Sequence, residues 1–160
     1  MDTHALHRYH PETTALPRWL VVGFLSGFAA VLLFHQPAVE LLHLSGITPR
    51  SPYSMDPTRP FGVPSVLSLA FWGGLWGVLL AASLARLDGS RLIWASVILG
   101  AVLPTVVAWF VVAPLKGAPI AAGFVPKAML IGPIVNAAWG LGTGLGLALF
   151  GRRRLGNADC

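Results

Sequence analysis

The run Phe71-Trp-Gly-Gly-Leu-Trp-Gly77 lies inside an apolar stretch from about Val63 to Leu84, and this stretch decides the fold class. A helix of about 20 residues crosses about 30 Å of hydrocarbon, at about 1.5 Å per residue. In lipid such a segment has to be helical, because it must satisfy its own backbone polar groups. Similar runs cover about 19–34 (with an alternative end near 44), about 92–112 and about 128–150. The sequence therefore predicts an all-α polytopic membrane protein with four transmembrane helices.

The composition agrees with this prediction. Of 160 residues, 55% are hydrophobic and only 11% are charged, and the mean hydropathy is +0.71. A soluble domain carries about 25% charged residues. The pattern divides the chain into a flexible polar leader (1–18), a four-helix bundle (19–150) and a basic tail (151–160). Because the basic residues lie at helix ends, we expect contact with a lipid bilayer rather than with nucleic acid. Cys160 is the only cysteine, so the chain has no intramolecular disulfide.

Lysines and arginines predict the orientation. The side of the membrane that holds both termini has seven of them, including Arg152-Arg-Arg154, and the other side has four. Positive residues favour the cytoplasmic side. We therefore expect both termini in the cytoplasm, and in a bacterium the two longer loops, about 45–62 and about 114–127, in the periplasm. The predicted location is the bacterial inner membrane.

Small residues spaced four apart recur in every predicted helix. Such pairs let helix backbones approach closely in lipid. The first interpretation is packing inside the bundle. The second is that the fourth helix, with small residues on two adjoining stripes, also contacts a partner protein. The residues are Gly23, Gly27, Gly73, Gly77, Ser96, Gly100, Gly140, Gly142, Gly144 and Gly146.

A weak internal repeat is also present. Trp76-Gly77 begins 12 residues after Pro64, and Trp139-Gly140 begins 12 residues after Lys127. Each predicted pair of helices has a proline-containing outer loop and a Trp-Gly step in its second helix. The pattern is typical of a duplicated helical hairpin whose halves are related by an axis along the membrane normal.

A polar cluster follows the first apolar run. On a helix, Gln36, Glu40 and His43 form one stripe, which would let Glu40 and His43 hydrogen-bond, and His35 lies off that stripe. Pro37 predicts either a kinked helix that continues to about Leu44, or an end near His35 followed by a short interfacial helix.

Three interpretations of this cluster remain open. It is a polar belt that bonds to loop backbone, or a ligand or proton site, or a place where a histidine ligates haem or a metal. Haem ligation between helices needs histidines on different helices, and the other three apolar runs contain none. Asn136 is the strongly polar side chain deep in the later helices. It either bonds another helix or faces the same outer cavity as His35.

The first long loop is rich in proline, which predicts an extended, stiff segment. We expect it to form either a lid over the bundle or a contact surface for a partner. Asp56 could pair there with Arg59 or Lys116. The residues predicted to form this surface are Asp56, Pro57, Arg59 and Lys116.

Several motifs give the chain a family resemblance, among them Phe34-His-Gln36, Phe61-Gly-Val-Pro64 and Ala108-Trp-Phe-Val-Val-Ala-Pro-Leu-Lys-Gly117. With Phe71-Trp-Gly-Gly-Leu-Trp-Gly77 and Trp139-Gly-Leu-Gly142, they resemble an uncharacterised family of small proteobacterial inner-membrane proteins. The resemblance covers the chain after about Leu20. That family has no assigned activity, so the resemblance implies no catalytic or binding residue.

The sequence shows no nucleotide-binding loop, catalytic serine motif or metal signature. We therefore expect a non-enzymatic accessory or assembly subunit of a larger respiratory or photosynthetic membrane complex, without a metal or other cofactor. The alternative is a small oligomeric transporter or channel, with His35, Glu40 and Asn136 lining an outer vestibule. A haem- or quinone-binding membrane protein is the third hypothesis.

Overall fold

A computed structural model of the chain describes residues 15–151. Most of the predicted leader, and the basic tail from residue 152 onward with its three arginines, lie outside the described residues. The described part is almost entirely helical. Its α-helices are α1 (Ala15–Ala30), α2 (Gln36–Leu44), α3 (Ser65–Leu84), α4 (Gly89–Val107), α5 (Ala113–Leu115) and α6 (Pro126–Phe150). The remaining elements are two π-helical segments (Val31–His35 and Ala108–Val112), a 3₁₀ segment (Ile120–Phe124) and the short antiparallel strands β1 (Pro57–Thr58) and β2 (Val63–Pro64).

Continuous helix joins several of these segments into four spans that are long and apolar enough to cross a membrane. They are span 1 (Arg18–Leu44), span 2 (Ser65–Leu84), span 3 (Gly89–Leu115) and span 4 (Pro126–Phe150). The prediction of an all-α protein with four membrane-spanning helices is confirmed. We name the two ends of the bundle by their connections. The long-loop end carries the loops 45–64 and 116–125, and the short-turn end carries the turn between spans 2 and 3.

Each span packs mainly against its neighbour in the chain. Span 1 lies along span 2, and span 3 lies along span 4, while span 1 also packs against span 4 and joins the two hairpins. The main core lies between the spans and contains Ala30, Val31, Ala70, Leu80, Ala81, Leu84, Leu92, Trp139 and Leu147. A smaller cluster of Val39, Leu42 and Val135 lies at the long-loop end.

Span 1 does not stop at Pro37 but passes it through a widened turn. In the π segment the N–H of Gln36 donates to the carbonyl of Val31, five residues back. Proline has no N–H, and its ring clashes with the carbonyl four residues before it in a regular helix. One π turn relieves that clash, because each carbonyl in it faces the residue five positions later instead of four. Of the two predicted geometries, the structure has the helix that continues to Leu44.

Span 3 repeats this irregularity. Its π segment ends where the N–H of Ala113 donates to the carbonyl of Ala108, and Pro114 follows at once. Both spans then end on a glycine in the left-handed region, Gly46 at φ +65° and Gly117 at φ +70°. In both cases the residue after the glycine donates its N–H to the carbonyl five residues earlier, as in a Schellman motif.

The close helix contacts repeat as well. A Cβ built on Gly27 would lie 3.0 Å from Cα of Gly77, and one built on Gly100 would lie 2.8 Å from Cα of Gly140. A tryptophan precedes both Gly77 and Gly140. The two hairpins therefore have the same register at their closest approach. The duplicated hairpin stays a prediction, because the glycine contacts of spans 1 and 3 repeat after 73 residues (27 to 100) and their π segments after 77 (31 to 108).

Candidate functional site

The glycines of spans 1 and 2 lie where these helices touch. A Cβ on Gly23 would lie 2.7 Å from the carbonyl oxygen of Gly77, and one on Gly27 would clash with the carbonyl of Gly73. These neighbours are backbone atoms, which cannot move aside without separating the helices. The four glycines thus set the distance between the two spans.

The two glycine stripes of span 4 face two different helices of the same chain. Gly140 and Gly144 face Ser96 of span 3, and their added Cβ atoms would overlap it. The second stripe, two residues further round, faces span 1. There Phe34 and Ala30 cover Gly142, and Ser26 covers Gly146. Both stripes are therefore occupied inside the bundle, which leaves neither of them free for the contact with a partner protein considered above.

The polar cluster of span 1 binds the backbone of the first long loop. The Oε1 atom of Gln36, which is buried, accepts the N–H of Tyr53 at 2.8 Å. The Nδ1 atom of His43 donates to the carbonyl of Thr48 at 3.1 Å. Two members of the cluster thus hold the loop, as in the first of the three interpretations.

The expected hydrogen bond between Glu40 and His43 is replaced by this loop contact. The turn at Gly46 brings the chain back over the end of span 1, where the N–H of Thr48 reaches the carbonyl of Leu42. The carbonyl of Thr48 then lies beside the His43 ring. Glu40, which is half-buried, has no hydrogen bond with His43 in the described part of the chain.

His35 differs from the rest of the cluster. Its Nδ1 atom is buried and has no hydrogen-bond partner, the one such side-chain nitrogen or oxygen in residues 15–151. A buried polar atom without a partner costs about 1–3 kcal/mol. Such atoms are rare in folded proteins, and they mark strain, chemistry or a bound molecule.

Tyr53 makes a second contact with span 1, beside His35. Its hydroxyl donates to the carbonyl of Leu32 at 2.8 Å. In the π register that carbonyl would accept from the N–H five residues later, but that residue is Pro37, which has none. Tyr53 thus satisfies a backbone acceptor that the proline leaves open. Sequence reasoning missed this residue, and the available signal was a hydroxyl-bearing side chain in the loop that follows a helix containing proline.

Asn136 connects spans 3 and 4. Its Nδ2 atom donates to Oγ1 of Thr105 at 2.9 Å, one turn from the close contact at Gly140. Of the two interpretations offered for Asn136, this is the bond between helices. The Asn136 amide therefore contributes to the contact between spans 3 and 4.

Two tryptophan side chains tie spans together through backbone carbonyls. The buried Nε1 of Trp139 donates to the carbonyl of Gly27 at 2.9 Å, across the contact between the hairpins. At the short-turn end, Nε1 of Trp19 donates to the carbonyl of Ala81 at 2.6 Å. Ala81 is among the last four residues of α3, and the carbonyls of these residues receive no N–H from within the helix. The sequence did not identify either carbonyl.

The predicted loop surface is arranged differently from the expectation. The carboxylate of Asp56 accepts a hydrogen bond from the hydroxyl of Ser54 at 2.7 Å, and this bond takes the place of the expected pairing with Arg59 or Lys116. Pro57 pairs with Pro64 in the two-stranded hairpin, so this part of the loop is folded back rather than extended throughout. Asp56, Pro57, Arg59 and Lys116 are all exposed. They remain a surface that a partner could reach.

In residues 15–151 no group of three or more His, Cys, Asp or Glu side chains is placed to hold a metal ion. The chain matches no protein-family model, no curated protein and no solved structure.

Proposed function

We propose that this chain is a non-enzymatic accessory or assembly subunit of a larger respiratory or photosynthetic complex in a bacterial inner membrane, with both termini in the cytoplasm. The observation that carries this proposal is the use of the polar side chains inside the bundle. In the described part of the chain, the buried side-chain nitrogen and oxygen atoms other than Nδ1 of His35 have hydrogen-bond partners within the same chain.

Three contacts illustrate this use. Gln36 holds the first long loop, Asn136 bonds span 3, and Trp139 bonds the backbone of span 1. Two further buried hydroxyls, those of Ser96 and Thr143, donate to carbonyls four residues earlier in their own helices. A pore or an active site needs polar groups that face a substrate. Here these groups stabilise the bundle, which supports a structural role within a larger complex.

Span 3 offers the surface for such an assembly. Only 17% of its apolar window is buried inside the chain, against 39% for each of the other spans. Trp94 and Ile98 are both more than half exposed, and their spacing of four residues places them on one side of the helix. Phe110, further along the span, is also more than half exposed. We place the contact with the partner subunit here, because the stripes of span 4 are already covered.

Extraction from the native membrane in a mild detergent tests the proposal. We expect a particle of fixed composition that is much larger than the 16.9 kDa chain. A photo-crosslinking residue at position 98 should give a protein adduct of defined mass, while the same residue at the buried position 135 should give only internal products. A monomer or homo-oligomer, with lipid as the sole adduct at position 98, would refute the accessory role.

His35 is the observation that favours a second candidate, a small oligomeric transporter or channel with an outer vestibule. Its buried, unpartnered Nδ1 atom is the feature of the bundle that the accessory role leaves unexplained. Replacing His35 with alanine distinguishes the two candidates. Under the accessory role the particle and its activity persist, and under the second candidate transport by the reconstituted chain is lost.

A further inference from the structure

We infer that residues 49–53 form a strap that covers His35, that Tyr53 alone holds this strap to span 1, and that its release opens His35 to the long-loop side. We call residues 49–53 the strap from here on. The inference is independent of the proposed function, since it concerns only access to one side chain.

The two ends of the strap are fixed. On one side Thr48 is buried, its N–H bonds the carbonyl of Leu42, and its own carbonyl accepts from His43. On the other side the carbonyl of Ser54 accepts both the hydroxyl of Ser65 and the N–H of Val66, at the start of span 2. Five residues therefore connect two anchored points.

Between these points the contacts with span 1 come from Tyr53. Its N–H goes to Gln36 and its hydroxyl to the carbonyl of Leu32. These two acceptors lie one residue after and three residues before His35, so Tyr53 lies along the helical turn that contains His35.

The backbone of Tyr53 shows why the strap is held only moderately. Its φ is +50°, in the left-handed region that costs free energy for any residue with a Cβ. The two hydrogen bonds offset this cost while the strap is closed. On release, Tyr53 can adopt a relaxed backbone conformation. The relief of this strain offsets part of the free energy needed to break the two hydrogen bonds. Pro49 and Pro52 stiffen the short segment, and we expect it to move as one piece about its anchored ends.

Release changes what the end of span 1 presents. The imidazole of His35, the amide oxygen of Gln36 and the carbonyl of Leu32 become accessible together. While the strap is closed, Nδ1 of His35 has no partner, and the Gln36 and Leu32 oxygens accept hydrogen bonds from Tyr53. The strap thus controls access to a set of three neighbouring hydrogen-bonding groups.

A cysteine-accessibility experiment tests this inference in the full chain. Cys160, the only native cysteine, is first replaced by serine, and His35→Cys then reports access to position 35. The probe is a membrane-impermeant maleimide added from the long-loop side. We expect slow labelling at position 35, much slower than at the exposed control Ser51→Cys. Adding Tyr53→Phe, which removes the hydroxyl bond and keeps the ring, should raise the rate at position 35 by about 2- to 10-fold.

The matched control is Phe61→Leu, a change in the same loop at a side chain that is 87% exposed. It should leave labelling at position 35 unchanged. Hydrogen exchange of the Tyr53 amide in the otherwise unaltered chain measures the same opening without a substitution in the strap. The inference is overturned if position 35 is labelled as fast as position 51, if Tyr53→Phe and Phe61→Leu have the same effect, or if the Tyr53 amide exchanges without protection.

Discussion

The substitution Gly100→Ala tests the close approach of spans 3 and 4. The new methyl carbon would lie 2.8 Å from Cα of Gly140 and 3.1 Å from the carbonyl oxygen of Asn136. Carbon atoms prefer a separation of about 3.5–4.0 Å, so the two helices would have to separate by about 1 Å. Both neighbours are backbone atoms, and no side-chain rotation can relieve the overlap.

The magnitude follows from three contributions. Overpacking of this kind costs about 1–3 kcal/mol. The bond between Asn136 and Thr105, now 2.9 Å long, would stretch by about 1 Å and be lost, at a further cost of about 0.6–1.7 kcal/mol. Alanine in a helix is favoured over glycine by about 1 kcal/mol, which acts in the opposite direction. We expect a net loss of about 1–4 kcal/mol in the free energy of unfolding.

The measurement is reversible unfolding of the purified chain in mixed micelles with an increasing fraction of denaturing detergent, followed by circular dichroism. Val102→Ile is the matched control, because it adds one carbon two residues away on a side chain that is 49% exposed. It should change the free energy of unfolding by less than about 0.5 kcal/mol. If Gly100→Ala is instead more stable than the parent chain, the helix preference of alanine acts alone, and the backbones do not touch at this point.

Three further predictions use the same unfolding assay. Trp139→Phe removes the bond to Gly27 and leaves a small void, so we expect a loss of about 1–4 kcal/mol, whereas an unchanged stability would show that the indole is not buried between the hairpins. Asn136→Leu and Thr105→Val should each cost about 0.6–1.7 kcal/mol, and the double variant should cost no more than the larger single one, so full additivity would contradict the bond. Gly46→Ala should cost about 1–2 kcal/mol because alanine is strained at φ +65°, although nothing lies near its added carbon, and a gain in stability would contradict the left-handed turn.

The four spans could be predicted from the sequence, because crossing a bilayer imposes both a length and an apolar composition. Pro37 likewise predicted an irregularity in span 1. The sequence left open whether span 1 continued through Pro37. That choice depends on whether a widened turn can be stabilised, and here Tyr53 supplies the hydroxyl that helps to stabilise it.

The partners of the polar side chains could not be predicted. Gln36, Glu40 and His43 form one stripe by spacing alone, but the groups that bond Gln36 and His43 come from the returning loop. In the same way, the spacing of Gly142 and Gly146 shows that they share a stripe, and only the packing shows that span 1 covers it. Periodicity fixes positions around one helix, while the identity of the opposing residue depends on the tertiary fold.

The pairing of spans also has a consequence for the order of events during synthesis. Span 2 meets its close partner, span 1, as soon as it enters the membrane, and span 4 later does the same with span 3. The contact of Trp139 with Gly27 is the step that must wait for the last helix. A nascent chain whose span 2 has entered the membrane would therefore already carry a completed first hairpin, with the surface that receives span 4 facing lipid until the rest of the chain arrives.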